Sequence, residues 1–143
     1  MQLEAAESDV IAAEAAAFAR ALPDPAARVR YERLAAAATS GEVPDDLIPP
    51  LETMLELLFT TGRVTNRALL QSIFARTPRG RHRSAAAREV NRALETLRGQ
   101  TVAEVRLSAV GPALQSLVIE TDRCRLTLEI DRDGARIASL DTG

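Results

Sequence analysis

The chain carries few of the side chains that enzymes ordinarily use. Its single histidine is His82 and its single cysteine is Cys124. Neither the phosphate-loop pattern nor the dinucleotide-binding glycine fingerprint occurs. Cys124 falls at an inward-facing position of a predicted strand, where a cysteine behaves as a small apolar residue. We therefore predict a non-enzymatic protein with no catalytic residue, no metal site and no cofactor.

Arginine is the residue type whose distribution gives the clearest indication of a binding function. All 18 basic residues are arginine, and seven of them lie between Arg76 and Arg98, interrupted only by Glu89 and Glu95. Guanidinium groups bind phosphate and carboxylate in a planar, two-pronged geometry. Residues 77–84 are predicted as a loop leading into a helix N-terminus, where backbone N–H groups favour anions. The candidate nucleic-acid or anion-binding residues are Arg76, Arg79, Arg81, Arg83, Arg88 and Arg92.

The charges are distributed unevenly along the chain, although the net charge is only −2. Residues 1–60 hold eleven acidic residues against four arginines, whereas residues 61–98 hold nine arginines against two acidic residues. Opposite charges attract within one chain or between two chains. The arginines are therefore also consistent with pairing to the acidic N-terminal helices.

The first of five predicted helices, Leu3–Leu22, has an imperfect apolar stripe. Glu7 and Glu14 fall inside the stripe, so it does not form a clean core face. We therefore predict that this helix either projects from the fold or docks on a second chain. The candidate protein-interface residues are Leu3, Val10, Ile11, Phe18 and Leu22.

Four more helices are indicated by start and stop signals. Asp24 and Pro25 begin the second helix, and an apolar repeat begins the third at Leu51 and ends at Gly62. The fourth starts at a Thr65 cap, with Val64 and Leu69 placed as a hydrophobic staple, and is broken by Pro78 and Gly80. Ser84 caps the fifth, which ends at Gly99.

After Gly99 the apolar period changes from helical to alternating, which predicts four strands. The alternation in the first places Val105 and Leu107 on one side. If Asp122-Arg123 closes a hairpin, Ile119 faces Leu126, Leu117 faces Leu128, Glu120 faces Arg125 and Ser116 faces Glu129. Asp131-Arg132-Asp133-Gly134 is predicted to be a turn before a final edge strand, Ala135–Leu140. The result is an antiparallel meander with one solvated face and one face covered by helices.

Together these elements predict an α+β fold, with about five N-terminal helices packed on one face of a C-terminal four-stranded antiparallel β-meander. We expect one domain over residues 1–143, comprising an acidic helical arm (1–41), a helical subdomain with the basic segment (42–99) and the meander (100–143). Aromatic residues make up only 3 % of the chain, so the core is aliphatic. No apolar run reaches the roughly 20 residues of a membrane helix. A cytoplasmic protein without membrane contact is expected.

The stretch Glu52–Leu70 resembles the opening of winged-helix bacterial regulators, in which a Gly-Arg-Val-Ser/Thr step joins the first two helices. Gly62-Arg63-Val64-Thr65 matches that step. The resemblance implies that residues 84–98 form a recognition helix, whose N-terminal residues would meet base edges. A predicted eight-residue connection before this helix and a full meander after it differ from the family pattern.

Two functions follow from these patterns. The first is an assembly or adaptor subunit that binds itself or a larger protein partner, suggested by the first helix, the opposite charges and the aromatic-poor core. The alternative is a winged-helix-like DNA- or RNA-binding protein that uses the Arg76–Arg98 segment.

Overall fold

A computed structural model describes residues 1–62 and 65–143. Helices occupy the N-terminal part, and a four-stranded antiparallel sheet occupies the C-terminal part, so the predicted α+β class is confirmed. The chain divides into two compact units, Met1–Gly80 and Arg81–Gly143, each of which is described by itself.

The first unit is helical. Its elements are α1 (Ala5–Ala21), α2 (Pro25–Thr39), a short 3-10 helix (Asp45–Leu47), α3 (Ile48–Thr61) and α4 (Arg67–Arg76). The two extended segments flanking α1 and α2 meet where the Leu3 N–H donates to the Gly41 carbonyl at 2.9 Å. The helices enclose an aliphatic core that includes Ile11, Leu34, Leu51, Met54, Leu55, Leu70 and Ile73.

Local signals place most ends of these helices. The Asp24 carboxylate accepts a hydrogen bond from the Ala27 N–H at 2.8 Å, as a helix N-cap does. Gly62 ends α3 with a φ of 70°, a left-handed conformation that favours glycine. Pro49 and Pro50 lie in the first turn of α3, which therefore begins before the predicted Leu51.

The start of α4 differs from the prediction. The helix begins at Arg67 with Asn66 as its N-cap, so the predicted Thr65 cap is wrong. The staple residue Val64 and the Arg63-Val64 part of the winged-helix step lie outside the described residues.

The fifth helix is longer than predicted. Helix α5 runs from Pro78 to Glu95, and only Thr77 separates it from α4. The predicted loop over residues 77–84, the Ser84 cap and the eight-residue connection are therefore wrong. Proline is tolerated in the first turn of a helix, where its missing N–H has no intrahelical partner.

The strands are β1 (Val102–Gly111), β2 (Leu114–Thr121), β3 (Cys124–Asp131) and β4 (Gly134–Thr142), arranged in the order β1-β2-β3-β4. All four cross-strand pairs predicted for the central hairpin are confirmed: Leu117 with Leu128, Ile119 with Leu126, Glu120 with Arg125 and Ser116 with Glu129. The predicted turn before the last strand is also present, because Asp131 pairs with Gly134.

The register gives the sheet one apolar face and one polar face. Because residues directly opposite one another share a face, Val105 and Leu107 of β1 continue the rows of Ile119 and Leu117. The rows extend through Leu126 and Leu128 to Leu140 and Ile137. In the second unit, Val90 and Ala93 of α5 pack on the centre of this face, where Leu126 and Leu128 are buried.

No helix among the described residues combines the length and the apolar character needed to cross a membrane.

Candidate functional site

The joint between α4 and α5 is built around a buried carboxylate. Glu52 of α3 accepts a hydrogen bond from the Arg79 backbone N–H at 2.8 Å. The Thr77 hydroxyl oxygen accepts one from the Gly80 N–H at 3.1 Å and donates to the Phe74 carbonyl at 2.8 Å. Both Glu52 and Thr77 are buried. These contacts satisfy the N–H groups that the first turn of a helix leaves without intrahelical partners.

Anion binding by the candidate arginines stays a prediction, but the backbone N–H groups at the observed start of α5 are already engaged within the chain. Pro78 has no N–H, and the next two N–H groups already bind a carboxylate and a hydroxyl of the chain itself. A phosphate at this point would also approach the negative charge of Glu52. Its carboxylate occupies the position that an anion would take.

Three of the six candidate arginines are engaged within the chain. Arg76 contacts Glu7 at 2.6 Å, and Arg79 contacts Glu56 at 2.8 Å and Glu52 at 3.7 Å. Arg83 donates to the Arg132 carbonyl at 2.6 Å. The salt bridges of Arg76 and Arg79 agree with the interpretation that arginines neutralise acidic residues of the N-terminal helices.

The other three candidates form an exposed stripe on α5. Arg81, Arg88 and Arg92 are exposed and have no salt bridge among residues 1–62 and 65–143. At 100° per residue their side chains project from one side of the helix, on the side opposite Val90, which packs on the sheet; Arg92 also borders a groove beside the sheet. We call these three residues the arginine stripe.

Glu7 is the buried acidic residue that interrupts the apolar stripe of α1. Burial raises the pKa of its carboxyl. The hydrogen bond from the Glu4 N–H and the contact with Arg76 outweigh burial, so the pKa lies below its ordinary value of 4.5. Arg76, 69 residues away along the chain, therefore explains how an acid is accommodated there.

Replacement of Glu7 by glutamine should lower the free energy of unfolding at neutral pH by about 1–3 kcal/mol, because it leaves the Arg76 charge without its partner. Since folding lowers the pKa of Glu7, its contribution is complete above pH 4.5 and declines as the pH falls through the folded-state pKa. The Glu7→Gln loss should therefore shrink below pH 4.5. Urea unfolding at neutral and acidic pH measures both effects.

The matched control is Asp46→Asn, which breaks an exposed salt bridge with Arg33 and should cost less than about 1 kcal/mol. An equal loss at both pH values for Glu7→Gln would contradict the role assigned to its charge.

The predicted interface residues of α1 lie against the core of their own unit. Ile11 is completely buried, and Leu3, Val10, Phe18 and Leu22 are partly buried against the same cluster. The ring of Phe18 meets that of Tyr31 edge-on, with 4.6 Å between ring centres. An interface on α1 stays a prediction, but these side chains already have packing partners within the chain.

A more exposed apolar surface lies on β1. Val105 and Leu107 are on the apolar face of the sheet, yet they are 60 % and 58 % exposed. Val102, opposite Thr121 on the same face, is 55 % exposed. We call Val102, Val105 and Leu107 the β1 patch. Within the second unit, α5 covers the centre of this face and leaves the β1 side chains exposed.

The reason is the width of the sheet. An α-helix is about 10 Å across, whereas neighbouring strands are about 4.8 Å apart. One helix on the centre of a four-stranded sheet therefore covers about two strands. The alternation of apolar residues predicts which side of β1 is apolar. It does not predict how many helices cover that side.

The opposite margin of the sheet carries an apolar groove beside α5. It is lined by Glu89, Arg92, Ala93, Thr96, Ile137 and Leu140. Charged side chains border this groove, and its two large apolar residues are less exposed than those of the β1 patch. The β1 patch is therefore the stronger candidate for binding protein.

The two residues considered for catalysis occupy different environments. Cys124 is buried, with its sulfur 3.4 Å from Gln100 Oε1, while His82 is exposed on α5. Within the described parts of the chain, His, Cys, Asp and Glu side chains form no group of three that could hold a metal ion.

No protein-family model matches the chain, and neither curated proteins nor solved structures gave a significant match.

Proposed function

We propose that the protein is a non-enzymatic assembly or adaptor subunit that binds another protein, either a second copy of itself or a larger partner. The observation that carries this proposal is the β1 patch. Its three aliphatic side chains are more than half exposed on the apolar face of an edge strand. Contiguous exposed apolar surface marks protein interaction sites.

The outer edge of β1 could also bind a partner strand through backbone hydrogen bonds. An edge strand presents N–H and C=O groups that have no partner within its sheet, and an added strand can pair with them. Backbone hydrogen bonds would then supply affinity, while contacts to Val105 and Leu107 would supply apolar burial.

Replacement of Leu107 by aspartate should weaken association at least about tenfold, because it places a charge in the apolar contact without disturbing the fold. Light scattering coupled to size exclusion, in high and low salt, measures self-association. Pull-down with the purified chain, followed by titration of any recovered protein, measures binding to a partner.

The matched control is Leu57→Asp. Leu57 of α3 is also exposed, at 46 %, but belongs to the helical unit. It should leave association unchanged. A strictly monomeric, stably folded chain with no recoverable partner would refute the proposal.

A second candidate function is DNA or RNA binding through the arginine stripe. The exposure of Arg81, Arg88 and Arg92 along one side of α5 supports it. Arg81 and Arg92 are 11 positions apart, so the stripe extends about 16 Å along the helix, enough to follow several phosphates. The one-residue α4–α5 connection also removes one difference from the winged-helix pattern.

If this function holds, replacing all three stripe arginines by alanine should weaken binding to duplex DNA or RNA. It should also reduce the slope of log affinity against log salt by about 0.9 for each phosphate that the variant no longer neutralises. Fluorescence anisotropy over a salt series measures both effects. Arg123→Ala, at an exposed turn of the sheet, is the control. Absence of binding at low ionic strength would eliminate this function.

A further inference from the structure

The middle of β1 is a regular strand segment whose outer edge has no strand paired with it in the sheet. Irregularities in pairing occur between Val102 and Glu104 and between Ala109 and Gly111, and the register between them is continuous. β1 is the first strand in the sheet order, so only its β2 side is paired within the sheet. Bulges limit how far an edge can pair with another strand. A strand added here therefore pairs mainly with residues 104–109.

Side-chain charges make this segment complementary to itself. Glu104 and Arg106 lie on the polar face, opposite Glu120 and Val118, and form an exposed salt bridge with each other. Val105 lies between them on the apolar face. In an antiparallel pair of identical strands related by a two-fold axis at Val105, Glu104 of each copy falls opposite Arg106 of the other. The two Val105 side chains meet on the apolar face.

Neighbouring registers lack this complementarity. A two-fold axis at Arg106 would place two guanidinium groups directly opposite each other, which is unfavourable for like charges. An axis at Leu107 would place Arg106 opposite Ser108 and leave Glu104 opposite an apolar residue. The register centred on Val105 pairs both charges.

We infer that the partner bound by β1 is a second copy of this chain, joined antiparallel through β1 about a two-fold axis at Val105. The two sheets form one eight-stranded sheet with both apolar faces on the same side. A two-fold contact uses the same surface patch on both copies, which is what a self-complementary segment provides. This inference rests on the proposed function and identifies its partner.

The test uses two single substitutions. Each should weaken dimerisation alone, and mixing the two variants should restore it. Glu104→Arg gives two positive charges on the segment, and Arg106→Glu gives two negative charges. Each should raise the dimer dissociation constant at least about tenfold, because like charges then lie opposite each other twice. In an equimolar mixture every cross-strand pair is again opposite in charge. Neither single variant regains its own salt bridge, so rescue reports a contact between chains.

Sedimentation velocity over a concentration series, with one variant carrying a fluorescent label, measures the homodimers and the mixed dimer. The inferred pairing predicts weakened association for each variant alone and a mixed dimer with affinity close to that of the natural chain. Arg123→Glu, at the turn between β2 and β3, is the charge control and should dimerise normally.

Three results would overturn the inference: a natural chain that stays monomeric, a dimer insensitive to both substitutions, or two weakened variants without rescue in the mixture. The second and third leave the proposed function intact, because the chain still binds protein. A monomeric chain leaves it intact only if a different protein partner is recovered whose binding Leu107→Asp weakens.

Discussion

Replacement of Gly80 by alanine is expected to destabilise the helical unit by about 3 kcal/mol or more, at the upper end of what overpacking a well-filled site costs. A Cβ atom built on Gly80 would lie 1.8 Å from the Phe74 carbonyl oxygen and 2.6 Å from its carbon. Both atoms belong to backbone, which cannot rotate aside as a side chain can. To relieve the clash, the backbone around Gly80 has to move away from that of Phe74.

Chemical denaturation followed by far-ultraviolet circular dichroism measures this loss. Gly111→Ala is the matched control, since a Cβ there meets only the Leu114 Cβ at 4.0 Å, an ordinary contact. It should change the unfolding free energy by less than about 0.5 kcal/mol. Superimposable unfolding curves for Gly80→Ala and the natural chain would contradict the close approach of Gly80 to the Phe74 backbone.

Replacement of Glu52 by alanine should lower the free energy of unfolding by about 2–4 kcal/mol. The substitution leaves the Arg79 N–H unsatisfied at the start of α5 and removes the buried partner of the Arg79 guanidinium. Glu52→Gln keeps an oxygen acceptor for the N–H and should recover part of this loss.

Arg79→Ala separates capping from ion pairing at the same joint. It deletes the guanidinium contacts with Glu52 and Glu56 but retains the backbone N–H that Glu52 caps. If capping is the main role of Glu52, Arg79→Ala should cost less than half as much as Glu52→Ala. Equal losses for the two variants would assign the effect to the salt bridges.

The parts of the fold that were predicted correctly depend on neighbouring residues. Asp24 and Pro25 are adjacent in the sequence, and the Asp24 cap reaches only to Ala27. The register of β2 and β3 follows from a two-residue connection and from alternation on both sides of it.

The prediction failed where distant contacts decide the structure. Proline and glycine at residues 78 and 80 normally indicate a break, but Pro78 fits the first turn of α5 and Gly80 allows α4 to approach. The cap that stabilises this start is Glu52, 27 residues away along the chain. No local pattern marks such a partner.

The candidate arginines also differ from one another in ways that only distant contacts decide. Their clustering was evident from the sequence, but only the fold identifies Arg76 and Arg79 as partners of buried or half-buried acids. It leaves Arg81, Arg88 and Arg92 at the surface. Anion or nucleic-acid binding therefore stays a prediction that rests on the exposed arginines of α5.

Hydrogen exchange of the β1 backbone amides reports directly whether the β1 side of the sheet binds protein. We predict that exchange at residues 104–109 slows as the protein concentration rises, or when a recovered partner is added, while exchange along β4 stays constant. Exchange at residues 104–109 that is the same at every concentration and with every recovered partner would contradict protein binding at β1.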